Sequence, residues 1–108
     1  MTDKRIVLVA VPNRETGEMI AEKVITAHLA ACVNILPSIT SIYTWEGKLE
    51  KSDELLLIIK TRVAAFESLK KLILSLHPYS VPEILSLPIE MGFHRYLQWI
   101  DDSMGEIS

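Results

Sequence analysis

At 108 residues with 49% hydrophobic side chains, the chain has room for one domain around one core. Its 11 basic and 14 acidic residues give a net charge of −3, and the basic residues are scattered, so no electrostatic footprint for nucleic acid is present. No apolar run approaches the roughly 18 residues of a membrane span, and one cysteine makes no internal disulfide, so the cytosol is the expected compartment.

Arg5 to Val11 reads as a strand apolar on both faces, too short and too β-branched for a secretory segment. Pro12-Asn13 ends it, and Asn13 is placed to cap a helix whose first turn carries Glu15 and Glu18. That helix is expected to reach Leu29 or Ala30, with Ile20, Val24, Ala27 and Ala31 as its apolar stripe and Gly17 weakening its first turn. Two extended runs follow, Val33 to Trp45 and Leu49 to Thr61, joined by a three-residue loop, Glu46-Gly47-Lys48, in which Gly47 supplies a positive φ. Pro37 inside the first run calls for an edge position or a bulge. Ala64 to Leu76 reads as a second amphipathic helix, with Phe66, Leu69, Leu72, Ile73 and Leu76 inward, stopped by His77-Pro78. Glu83 to Ile89, with Pro82 and Pro88, is a short edge strand. Phe93 to Met104 closes the chain as a helix, with Tyr96, Leu97, Ile100 and Met104 inward.

The order β-α-β-β-α-β-α implies an α+β architecture, the ferredoxin-like βαββαβ antiparallel sheet, with a long hairpin between its second and third strands and an extra C-terminal helix. In this topology the first strand and Leu55–Ile59 occupy the sheet centre, and both are apolar without alternation. Two helices on one face leave the other face uncovered, so a neighbouring copy is the natural second cover. An arm from 33 to 45 spans about 43 Å, whereas a compact chain of this length is about 34 Å across. The hairpin tip is therefore expected to overhang its own subunit.

Ala30-Ala31-Cys32-Val33-Asn34, Ser41-Ile42-Tyr43-Thr44-Trp45-Glu46-Gly47-Lys48, Lys60-Thr61, His77-Pro78-Tyr79, Val81-Pro82-Glu83 and Tyr96-Leu97-Gln98-Trp99-Ile100 together resemble the CutA divalent-cation-tolerance family, in register from Ile6 to Ile100. The resemblance implies a cytosolic homotrimer of ferredoxin-like subunits, packed sheet to sheet with long hairpins gripping neighbours. It also implies an architecture like the PII signalling trimers and an association with tolerance to copper and other divalent ions, without an established reaction. The copper ligands proposed in some relatives are a cysteine in the first strand and two histidines before the Pro-Tyr. Here Val9 and Leu76-His77 occupy those positions, and Ser80 stands where an acid or amide is frequent, so of three ligands only His77 is kept.

Each candidate residue carries a functional and a structural reading. Cys32 is a soft copper ligand or a small core residue. His77 is an imidazole ligand or a helix C-terminal residue complementing the dipole. Lys60 and Glu83 line an inter-subunit cleft walled by Tyr79 and Trp99, or form an ion pair at a strand end. Tyr43 and Trp45, near the hairpin tip, are expected to be interface contacts. Cys32, His77 and Glu83 are the one trio that could serve a hydrolase, with no nucleophile elbow or Gly-rich loop beside it, so no enzyme and no organic cofactor are expected. Two functions follow: a trimer that binds copper or another divalent cation, and a PII-like signalling or scaffold trimer holding a small ligand or partner protein between subunits.

Overall fold

The computed structural model describes residues 2–105. Four strands, β1 (Lys4–Val11), β2 (Cys32–Trp45), β3 (Lys48–Arg62) and β4 (Ile84–Pro88), form one sheet in the order β2-β3-β1-β4, every neighbouring pair antiparallel. Helices α1 (Arg14–Thr26) and α2 (Phe66–Leu76) make the two crossovers, and α3 (His94–Met104) follows β4. This is the expected ferredoxin-like α+β arrangement, with β2 and β4, the two proline-bearing strands, at the edges.

The register separates the two faces of the sheet. Val7 opposite Ile59 and Val9 opposite Leu57 face the helices, where they meet Ile20 and Val24 of α1 and Leu69 and Ile73 of α2. All eight are fully buried, and each burial stabilises by about 1.5–3 kcal/mol. Gly17, placed by sequence as a weak point of α1, sits where α1 crosses the sheet. A Cβ there would lie 3.2 Å from Val11 and 3.4 Å from Leu57, so the glycine sets the approach of helix to sheet. On the opposite face the pairs Ile6–Lys60, Leu8–Ile58 and Ala10–Leu56 continue into Leu85 and Leu87 of β4. Among the described residues no helix covers this face: Leu8, Leu56 and Ile58 are half-buried, Leu85 and Leu87 exposed.

The hairpin overhangs. β3 pairs with β1 only from Leu55 to Arg62, and in the sheet residues 48–54 pair with β2 alone. The molecule accordingly measures 44 × 26 × 21 Å. At Pro37 the register slips by one residue between Leu36 and Ile39, the bulge that proline required, and Ser38 adopts φ 62° there. Two local details differ from expectation. The hairpin loop has two residues, not three: Trp45 pairs with Lys48, and Glu46 and Gly47 both take positive φ, 50° and 78°, as a type I′ turn demands. The first helix stops at Thr26 rather than near Ala30. His28 turns it off in the left-handed region (φ 60°), and His28 N–H and Leu29 N–H donate back to the carbonyls of Ile25 and Val24, a Schellman closure without glycine. Asn13 caps the other end as expected, its Oδ1 accepting from Thr16 N–H at 2.8 Å.

At the end of the sheet away from the ribbon, α3 buries Ile100 and Met104 against Ala65. Its Asp101 accepts from two nearly buried cations, Lys4 at 3.1 Å and Arg62 at 3.2 Å. Burial alone would lower the Lys4 pKa, but Asp3 and Asp101 together hold it above its ordinary value. Tyr96, expected inward, is 40% exposed and stacks on Trp99, with ring centroids 5.5 Å apart.

Candidate functional site

The place where β3 runs past the end of β1 is the most elaborated corner of the molecule. Val11 opposite Leu55 is the last β1–β3 pair, so Glu54 is the first β3 residue without a β1 neighbour. The segment after α2 folds over that gap. His77 leaves the helix in an extended conformation (ψ 134°), as the following proline requires. Its Nε2–H donates to the Ala10 carbonyl at 2.8 Å, and its Nδ1 accepts from Tyr79 N–H at 3.1 Å. The second bond fixes the tautomer, since an amide N–H can only donate. Tyr79 tilts over the imidazole, centroids 4.8 Å apart, and its hydroxyl donates to Glu54 Oε2 at 2.8 Å. Burial, then the bond to Glu54 and the charge behind it, push the Tyr79 phenol up to about 12.

Between this segment and the ribbon lies a cleft of about 640 Å³. Ser41, Tyr43, Trp45 and Glu54 line it from the ribbon, and Tyr79, Ser80 and Glu83 from the loop. Tyr43 is steadied by a 2.9 Å bond to Ser52, which lies diagonally across the strands and pairs with Ser41. The cleft opens on the same side as the uncovered face of the sheet, because Glu54 shares the alternation of Leu56 and Ile58.

The candidate residues divide between two places. Tyr79 and Glu83 line the cleft together with Tyr43 and Trp45, the residues read as interface contacts. Lys60 and Trp99 do not reach it. Lys60 lies opposite Cys32 near the other end of the sheet and donates to Asn34, while Trp99 sits on α3 against Tyr96. Burial and the neighbouring Cys32 thiol raise the Tyr96 pKa. Cys32 is a free, partly buried thiol at the start of β2. His77, bonded to Ala10, is four residues along the sheet from the Cys32–Lys60 pair, about 13 Å.

Cys32 and His77 therefore do not converge, and the trio with Glu83 is not assembled. Both His77 nitrogens are already engaged, and among the described residues no three His, Cys, Asp or Glu side chains are grouped to hold a metal ion. A copper ion held by Cys32 and His77 of one chain does not fit this geometry. Sequence reasoning passed over Glu54, reading it as part of the polar ribbon half. The available signal was its position, the last acid before the apolar run Leu55–Ile59.

Residues 5–103 match the family described as CutA1 divalent ion tolerance protein. The divalent-cation tolerance protein CutA of Thermus thermophilus is 46% identical over 102 residues, 94% of this chain and 99% of that protein. The chloroplastic CutA of Arabidopsis thaliana is 48% identical over 98 residues, 91% of this chain and 54% of that protein, so the chain spans about half of that relative's length. The crystal structure of CutA1 from Oryza sativa superposes with a TM-score of 0.93 at 45% identity, covering 96% of this chain and 95% of that one. The family match over residues 5–103, identity near one half over more than nine-tenths of the chain and the superposition at TM-score 0.93 make this chain a member of the CutA1 divalent ion tolerance family.

Proposed function

We propose that this chain serves divalent-cation tolerance as a non-catalytic homotrimer, not as a single-chain metal trap. One observation carries the reading: the uncovered sheet face of Ile6, Leu8, Leu56, Ile58, Leu85 and Leu87. Contiguous apolar surface of this kind is rare on a monomer, and covering it stabilises an assembly at about 25 cal/mol per Å². The overhanging ribbon supports the same reading, since a two-stranded ribbon is marginal in water unless it rests on something. Ile42, Trp45 and Leu49, all exposed on it, suit a neighbour's surface. The count of three comes from the family resemblance.

The cytosol is the compartment proposed with this function, supported by the one cysteine, Cys32, being free; the chloroplastic label belongs to the Arabidopsis relative. Among the described residues no helix is long and apolar enough to cross a membrane.

Ile58→Lys puts a charge in the middle of the open face without touching the helix-side core. Sedimentation should show it dissociated at concentrations where the parent is assembled, with its far-UV dichroism kept; an assembled Ile58→Lys would contradict the proposal. Copper titration by calorimetry should give the same stoichiometry for the parent, Cys32→Ala and His77→Ala. Loss of a saturable copper site in both variants would restore the single-chain trap.

A further inference from the structure

Two charges on the open face of the sheet have only neutral partners. Glu54 is 7% exposed, and its Oε2 accepts the Tyr79 hydroxyl. Lys60 is half-buried, and its Nζ donates to Asn34 Oδ1. Among the described residues no Lys, Arg or His nitrogen lies within 4.0 Å of the Glu54 carboxylate, and no carboxylate oxygen within 4.0 Å of Lys60 Nζ. Elsewhere the fold pairs such charges: nearly buried Lys4 and Arg62 share Asp101. A neutral hydrogen bond does not replace the attraction of an opposite charge for an ion taken out of water.

Both charges belong to one row. Along β3, Glu54, Leu56, Ile58 and Lys60 alternate onto the same side, with Leu8 beside Ile58 and Ile6 beside Lys60. The open face is therefore an apolar strip with an acid at one end and a base at the other. Glu83, in the lining of the cleft around Glu54, adds a second carboxylate to the acid end. Lys48 shares the row but lies at the exposed ribbon tip. Six residues of strand, about 20 Å, keep Glu54 and Lys60 apart within one chain. A second copy seated on the face brings opposite ends together only head to tail, since acid end against acid end repels. A head-to-tail contact uses two different patches of each subunit, and a closed ring of such contacts gives every acid a base. We propose that Glu54 of each copy pairs with Lys60 of the next, so that the corner capped by Tyr79 is completed by a neighbour's ammonium group. This inference rests on the assembly proposed above and names the contact that fixes its register.

Subunit exchange between isotope-labelled and unlabelled protein, followed by native mass spectrometry, reads this contact. Glu54→Gln keeps an acceptor for Tyr79, and Lys60→Met keeps the aliphatic stem. Each should speed exchange at least about tenfold, and the double variant no more than the faster single one, because the second change removes a partner already lost. Glu54→Lys and Lys60→Glu each set like charges against each other and should speed exchange further. Combining them restores opposite charges and should return the rate toward that of the parent. The two positions are at opposite ends of the face in each chain, so such a rescue passes only between copies. Should Glu54→Lys fail to fold, the neutral pair decides. Single neutral variants exchanging at the parent rate, or a double variant whose acceleration is the product of the two, would overturn the pairing and leave the assembly standing. A parent found only as single chains would overturn both.

Discussion

Single residues at bends and gaps decide the local geometry. His28 holds a left-handed conformation that costs a β-carbon about 1–2 kcal/mol. His28→Gly removes that cost and is expected to stabilise the protein by about 1 kcal/mol in urea denaturation at fixed protomer concentration. Gly17 works in the opposite sense, because a side chain there enters van der Waals space belonging to Val11 and Leu57. Gly17→Val should cost about 1–3 kcal/mol in the same assay. Tyr79 links the loop to Glu54, and its folded pKa of about 12 lies above the ordinary phenol value of 10.0. A raised folded pKa favours the protonated form, so this stabilisation is complete below pH 10 and fades as pH climbs through about 12. Tyr79→Phe should therefore lose stability at neutral pH and show a flatter decline than the parent between pH 10 and 12, measured as the denaturation midpoint against pH.

At the scale of elements, the sequence was most legible where one physical demand admitted one answer. Pro37 cannot donate to a ladder, and an edge strand with a bulge is what formed. The unbroken apolar runs in β1 and β3 required central positions, and they occupy them. The end of α1 was illegible because its stop signal is a histidine in a conformation glycine normally takes, and Ala27, Ala30 and Ala31 around it are good helix formers. The shorter hairpin loop was missed for a similar reason, since Glu46 shares the positive φ expected of Gly47 alone. The cleft was half legible. Tyr79 and Glu83 stand out in the motifs, but Glu54 becomes special only when the end of α2 carries His77 and Tyr79 over it, a tertiary event that its own segment does not encode. Lys60 and Trp99 looked like companions of that site and belong to the other end of the sheet.

For the whole molecule, the fold solves one side of its sheet and leaves the other. The helix side is closed by fully buried aliphatic side chains from both main helices, whereas the far side presents Leu8, Leu56, Ile58, Leu85 and Leu87 with no element of the described residues above them. The ribbon extends the molecule to 44 Å and carries exposed Ile42, Trp45 and Leu49 beyond the four-stranded region. Both features have the same remedy, contact with further copies, and both argue that folding and assembly are coupled. Sedimentation velocity of the untagged protein over a wide dilution series tests this most directly. The expected result is one species of three times the chain mass that persists on dilution until the fold itself is lost. A stably folded single chain at any point in the series would contradict it.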